Sequence, residues 1–109
     1  MIMNKIIKKR FEDALPKMKE VAREFGYAIT VHGSMERDFD IVVIPWTENA
    51  SDITTVAHAI RDAAGSDNWR CPQTKGDAPH GREWWPFDWE DSSNSNKEYV
   101  DMSIMPRKL

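Results

Sequence analysis

The N-terminal part of the chain alternates apolar and polar positions with the period of an amphipathic helix. Residues 4–25 place apolar side chains three and four positions apart among charged ones, which predicts a helix that ends at Gly26. Pro16 lies inside this stretch and has no backbone N–H. We therefore expect a kink or a break near residues 12–13, where Asp13 would cap a second helical segment.

A second apolar stripe with helical spacing runs from Ile53 to Ala64. It predicts a helix that is capped by Thr47 or Ser51 and ends at Gly65. Other segments alternate with a period of two, which predicts half-buried strands. These segments are 27–31, 39–44, 82–89 with Pro86 as an interruption, and 98–105, and the polar stretch 66–79 is predicted to be a loop.

The order of these elements is helix, strand, strand, helix, strand, strand. It predicts a single α+β domain over residues 1–109, built as a two-layer sandwich. The two helices would cover one face of a mainly antiparallel, four-stranded sheet. Polar residues would then gather on the other face.

Composition narrows the classes of function. The formal net charge of −3 over 109 residues argues against general nucleic-acid binding and against an anionic membrane surface. Cys71 is the single cysteine, so an intramolecular disulfide is excluded, and no stretch has the pattern of a signal peptide or a membrane span. We expect a protein that acts in the cytosol.

Two carboxylates stand two residues apart at the start of the second predicted strand. The side-chain period of a strand is two, so Asp38 and Asp40 point the same way. Asp101 lies on the polar face of the last predicted strand, and the three carboxylates converge if the two strands are neighbours. Carboxylate oxygens are ligands that Mg²⁺ prefers, often together with substrate phosphates. The sequence predicts Mg²⁺ ligands and catalytic residues here, or alternatively the polar residues of a solvated sheet face.

Residues around this cluster are candidates for binding a phosphate-bearing ligand. A glycine and a serine follow the first strand, where a backbone of positive φ and a hydroxyl can offer hydrogen-bond donors to a phosphate. Nearby histidine and arginine side chains can donate to the same group. The candidates are His32, Gly33, Ser34, Arg37, His80 and Arg82. The alternatives are a turn that needs glycine for its geometry, a structural histidine and a solvated arginine.

Tryptophans are dense between residues 84 and 89. Alternation places Trp85, Phe87 and Trp89 on one face and Trp84 on the other, which makes Trp84 the candidate for stacking on a nucleobase. Core packing or a subunit interface explains the same aromatic residues. Because these tryptophans and Trp46 exceed what a small core needs, they favour a homodimer.

The Gly-Ser turn, the Asp-Phe-Asp strand and the later Val-Asp-Met strand together resemble the core of the nucleotidyltransferase superfamily. The resemblance implies that Gly33 and Ser34 hold a nucleotide's phosphates, and that Asp38, Asp40 and Asp101 hold two Mg²⁺ ions. In that family a helical segment separates the Gly-Ser from the acid pair, whereas here only residues 35–37 intervene.

A second resemblance covers most of the chain. The strings His-Gly-Ser, Arg-Asp-Phe-Asp, Pro-His-Gly-Arg and Asp-Met-Ser-Ile-Met-Pro-Arg are similar to those of small uncharacterised proteins encoded by bacteriophages. This resemblance implies an accessory protein that acts in the bacterial cytosol. Our main hypothesis is a nucleotide-binding protein that sequesters or acts on its ligand, such as a host defence signal. The alternatives are a Mg²⁺-dependent minimal nucleotidyltransferase or phosphodiesterase, and a protein-binding inhibitor of a host factor.

Overall fold

The computed structural model of the chain describes residues 5–33, 39–70, 81–89 and 99–107. These residues form two helices and six strands. In chain order these are α1 (Lys5–Glu24), β1 (Tyr27–His32), β2 (Phe39–Pro45), α2 (Ile53–Ala63), β3 (Asn68–Trp69), β4 (Glu83–Trp84), β5 (Phe87–Asp88) and β6 (Val100–Ile104).

Helix α1 is one continuous helix from Lys5 to Glu24, so of the kink or break predicted near residues 12–13 the break is wrong, and the kink stays a prediction. Pro16 removes one backbone hydrogen bond but lies on the exposed side of the helix. The buried stripe of α1 continues on both sides of it, through Ala14 and Met18. Packing of this stripe against the sheet supplies most of the stability of such a helix and offsets the local cost of the proline.

Gly26 ends the first helical region with a positive φ of 90°, as the sequence predicted. Its Cα also lies against the loop that follows β2. A Cβ built at this position would stand 2.5 Å from Thr47 Oγ1 and 2.7 Å from the Cα of Ala50. Both the backbone conformation and the close approach therefore require glycine here.

Helix α2 begins at a different cap from the one predicted. Asp52 is the N-cap: its Oδ2 accepts from the backbone N–H of Thr55 at 3.3 Å, and its Oδ1 accepts from the Thr55 hydroxyl at 2.7 Å. The prediction of Thr47 or Ser51 was wrong because Asp52 stands directly before the first helical residue and offers two oxygens to the first turn.

The sheet is mixed and six-stranded, in the order β1-β2-β6-β5-β3, and β4 also pairs with β6. Strands β1 and β2 are antiparallel, whereas β2 and β6 are parallel. The α+β class and the two helices are confirmed, but the mainly antiparallel, four-stranded sheet is wrong. Pro86 divides the predicted third strand into β4 and β5, and β3 forms inside the predicted loop.

One face of the sheet is covered by the helices and forms the core. On β2 and β6 the covered positions are apolar and almost fully buried: Phe39, Ile41, Val43, Val100, Met102 and Ile104. Phe39 stacks on Phe11 of α1 with ring centroids 4.3 Å apart. The alternate positions of β2 and β6 lie on the other face, here called the open face, where Asp40 and Asp101 are half-buried.

Neither described helix combines the length and the apolar character that crossing a lipid bilayer requires.

Candidate functional site

Three titratable side chains lie in register across neighbouring strands at one end of the open face. His32 of β1 lies opposite Asp40 of β2, and Asp40 lies opposite Asp101 of β6. Neighbouring strands are about 4.8 Å apart. The parallel pairing of β2 with β6 therefore places two carboxylates side by side, with a histidine next to them. We call this set the carboxylate row.

The side chain of Asp40 lies close to the backbone of Gly33, the residue that follows β1. Gly33 has a φ of 83°, and a Cβ at this position would stand 3.0 Å from Oδ2 of Asp40. Oδ1 of Asp40 has no measurable exposure to solvent. The positive φ and the close approach both favour glycine at position 33, and the predicted role of Gly33 in binding a phosphate stays a prediction.

Asp101 is held by an indole. Nε1 of Trp84 donates to Oδ1 of Asp101 over 2.6 Å. Trp84 lies on β4 opposite Ser103, two residues along β6 from Asp101. Cross-strand diagonal neighbours are within reach of an aromatic side chain, which explains the contact.

His32 is exposed, and its Nε2 shares a hydrogen bond with the Thr30 hydroxyl at 2.9 Å. This bond runs along β1, between two open-face residues of the same strand. Nδ1, the second ring nitrogen, takes no part in it. His32 is thus placed beside Asp40 with an oriented imidazole.

Of the remaining predicted site residues, the structure describes only Arg82. Ser34, Arg37, Asp38 and His80 lie outside the described residues, and the prediction for each of them stays a prediction. Arg82 is half-buried and precedes β4.

The pairing of β4 places the backbone of Arg82 far from the carboxylate row. Glu83 pairs with Ile104 at the opposite end of β6 from Asp101. At about 3.3 Å per residue, the Arg82 backbone lies roughly 13 Å along the strand from that of Asp101.

A divalent cation was predicted at this site. No group of three or more His, Cys, Asp or Glu side chains is arranged to hold a metal within the described ranges. Asp40 and Asp101 alone suit a Mg²⁺ ion that keeps several waters and takes further ligands from substrate phosphates. The donor chemistry of the row therefore fits the ion through two carboxylates.

The aromatic residues that follow Trp84 belong to the core. Trp85, Phe87 and Trp89 are buried. Nε1 of Trp89 donates to the carbonyl of Ala64 at 2.9 Å, which ties the end of α2 to this segment. These residues support core packing, the alternative that the sequence left open.

Sequence reasoning missed two polar features near the sheet. One is the Trp84 bond to Asp101, which depends on the β4–β6 register and has no local signal. The other is a buried carboxylate, Asp88, which accepts from Asn68 Nδ2 and from Arg70 Nη1, the latter at 3.2 Å. The Ser66 hydroxyl donates to the Asp88 carbonyl at 2.6 Å. This network joins β3 to β5 and is remote in sequence from the carboxylate row.

A groove lies at the opposite end of β2 from the row. It is lined by residues 45–50 and Arg107, and Trp46 is 64% exposed there. The loop is pinned by the Trp46 amide, which donates to the Gly26 carbonyl at 3.0 Å, and by Arg107, which donates to the Ala50 carbonyl at 3.2 Å.

No family model and no curated protein sequence matches the chain. Among solved structures, the chain is similar to the Cid1 poly(U) polymerase in a crystal structure with MgGTP bound, with a TM-score of 0.53 and 10% sequence identity. The match covers 94% of this chain and 33% of the polymerase, so the chain spans about a third of that protein's length. The resemblance to phage proteins gains no support. The chain therefore has a fold similar to that of part of this polymerase.

Proposed function

We propose that this chain is a nucleotide-binding domain of nucleotidyltransferase type, whose carboxylate row binds either the phosphates of the ligand through Mg²⁺ or its ribose or base directly. The observation that carries the proposal is the parallel register of β2 and β6, which sets Asp40 directly opposite Asp101 on the open face. The similar polymerase structure, which contains MgGTP, supports the choice of a nucleotide as ligand.

The carboxylate row places two negative charges side by side on neighbouring strands. Aspartate is disfavoured within strands, and like charges directly opposite each other in a sheet destabilise it by roughly 0.2–1 kcal/mol. Asp40 and Asp101 are both half-buried, so water screens their mutual repulsion less than it would on an open surface. A bound cation would offset this repulsion, and Mg²⁺ would also polarise a phosphoryl oxygen.

The test is a thermal-shift series on the purified chain with GTP, UTP, ATP and cyclic nucleotides, each with MgCl₂ and with EDTA. A ligand at a hundred times its Kd stabilises the folded state by about 2.7 kcal/mol. We expect a nucleotide-dependent rise in Tm that Asp40→Asn abolishes. Asp67→Asn is the matched control, since Asp67 is exposed and the same charge is removed away from the row. A rise that persists in Asp40→Asn would contradict the proposal.

Metal dependence distinguishes the two ways in which the site can be used. A minimal nucleotidyltransferase or phosphodiesterase needs Mg²⁺, so its nucleotide-dependent rise in Tm disappears in EDTA. With Mg²⁺ present, it converts labelled nucleotide to product. A sequestering protein keeps its response in EDTA, because the aspartates then recognise ribose or base. A cytosolic signalling nucleotide is the ligand that we propose for this second mode.

Protein binding is a second candidate function, favoured by the far end of the open face. Trp46 is 64% exposed and Ile44 is 37% exposed, and both are large apolar side chains. We propose a second copy of the chain as the partner. Sedimentation velocity should show a dimer that Trp46→Ser dissociates. A monomeric wild type without a nucleotide response would instead indicate a different protein partner, such as a host factor that the chain inhibits.

A further inference from the structure

The hydrogen bond between Trp84 and Asp101 differs in setting from the other indole bonds of the molecule. Trp89 and Trp85 donate within or beside the core, to the Ala64 carbonyl and to Oε1 of Glu83. Trp84 instead donates to a carboxylate of the open face over 2.6 Å. An indole has one N–H, so this contact uses the whole hydrogen-bonding capacity of the side chain.

The contact fixes one oxygen of the carboxylate. Oδ1 of Asp101 accepts from the indole, and Oδ2 takes no part in that bond. The ring of Trp84 is itself half-buried and carried by a strand that pairs with β6, so the donor is rigidly placed. Groups that hydrogen-bond to metal- or ligand-binding carboxylates fix their orientation, and their removal typically lowers affinity or activity by about 10- to 100-fold.

We propose that Trp84 is a positioning residue for Asp101, whose N–H turns the carboxylate so that Oδ2 is presented to the ligand beside Asp40. This inference rests on the proposed nucleotide-binding function. It gives Trp84 a role that differs from stacking on a base, because the indole N–H orients Asp101 and the aromatic face contributes less to binding. Removing the N–H alone therefore has most of the effect of removing the ring.

The first experiment tests the hydrogen bond itself on the ¹⁵N-labelled chain. Trp84→Phe identifies the Trp84 indole resonance by its disappearance from the spectrum. Asp101→Ala should move that resonance and leave the resonance of the exposed Trp46 in place. An unmoved Trp84 resonance overturns the inference whatever the protein binds.

The second experiment measures what the bond does for binding. The probe is MnCl₂ with GTP, and the readout is the Kd from paramagnetic broadening of the backbone amide resonances of β2 and β6, which every variant keeps, together with the Tm shift. In the wild type, Trp84 should broaden before Trp46, which lies at the other end of the sheet. Trp84→Phe should raise the Kd for Mn²⁺ about 10- to 100-fold. Trp46→Phe is the matched control and should leave the Kd unchanged.

An isosteric replacement separates positioning from packing. Benzothienylalanine at position 84 keeps the shape of the fused ring and replaces only the N–H with sulfur, so it also serves if Trp84→Phe folds poorly. We expect it to raise the Kd as Trp84→Phe does. An unchanged Kd in this variant overturns the positioning role and leaves the proposed function standing. A wild type that binds neither Mn²⁺ nor GTP overturns both.

Discussion

The two faces of β2 and β6 are built from alternate residues of the same strands, yet they differ in polarity and in exposure to solvent. The covered face is apolar and nearly free of solvent, and Phe39 there stacks on a helix. The open face carries Asp40 and Asp101, half-buried, with an indole bonded to one of them. Residues one position apart thus contribute to different properties, stability on one face and chemistry on the other. Substitutions at neighbouring positions can therefore change stability and ligand binding independently.

The largest expected effect is on the covered face. Phe39→Ala removes a fully buried ring from the stack with Phe11, whose centroid is 4.3 Å away. Truncation of a buried phenylalanine costs about 3–5 kcal/mol, so urea unfolding should show a loss of that size. Asp40→Asn, one residue along, should unfold near the wild-type urea concentration and lose the nucleotide response instead. Equal destabilisation by the two variants would refute the division between the faces.

The next largest loss of stability is expected at Asp88, a charged residue that contributes to the stability of the fold. It is bonded to Asn68 and Arg70, and its side chain is only 12% exposed. Asp88→Ala removes the carboxylate that accepts from Asn68 and Arg70, and the loss of a buried acceptor costs about 1–3 kcal/mol. The measurement is again urea unfolding.

The nucleotide response of Asp88→Ala supplies its control. Asp88 lies on β5, outside the carboxylate row, so the Tm rise produced by nucleotide should equal that of the wild type even though the starting Tm is lower. A loss of the response with unchanged stability would instead place Asp88 in the site.

These predictions depend on features that the sequence reveals to very different degrees. The strand segments 27–31 and 39–44 were predicted to within a residue of β1 and β2, because their alternation is long enough to be seen. Strands β3, β4 and β5 have two residues each, which is too short for any period. Their pairing follows from contacts with β6 and from the Asp88 network, which are remote in sequence.

The site shows the same contrast. Alternation alone put Asp40 and Asp101 on the polar sides of their strands. Their direct opposition required the parallel pairing of β2 with β6, and alternation carries no information about strand direction. The Trp84 bond required the register of β4 as well. Orientation within a strand was thus predictable, and relations between strands were not.

A smaller effect is expected at the cap of α2, on the covered side. Asp52→Ala removes both bonds to Thr55 and should cost about 1 kcal/mol, whereas Asp52→Asn should cost less. The nucleotide response of both variants should equal that of the wild type, since the cap lies outside the carboxylate row. A weakened response would show that the two layers are coupled.

Asp52 also predicts the direction in which the stability of the fold changes with pH. Hydrogen bonds from the Thr55 hydroxyl and amide lower the pKa of Asp52 below its ordinary value of 3.8. The ionised cap is therefore the form that the folded state favours. Its contribution is fully present above the unfolded-state pKa and is lost as the pH falls through the lower folded-state pKa. Stability measured from pH 6 down to pH 2 should decline less steeply in Asp52→Asn than in the wild type, and identical slopes would contradict the assignment.

The smallest change in stability is expected on the open face, and it has the opposite sign. Asp101→Asn keeps an oxygen that can accept from the Trp84 indole but removes one of two neighbouring negative charges. Relief of like-charge repulsion across a sheet is worth up to about 1 kcal/mol, so we expect a slight rise in the free energy of unfolding at low salt that shrinks as salt is added. The nucleotide response should be lost at the same time. A residue whose replacement stabilises the fold while it abolishes binding is held there for its chemistry. A stability loss in Asp101→Asn would instead show that the carboxylate charge is part of what holds β2, β4 and β6 together.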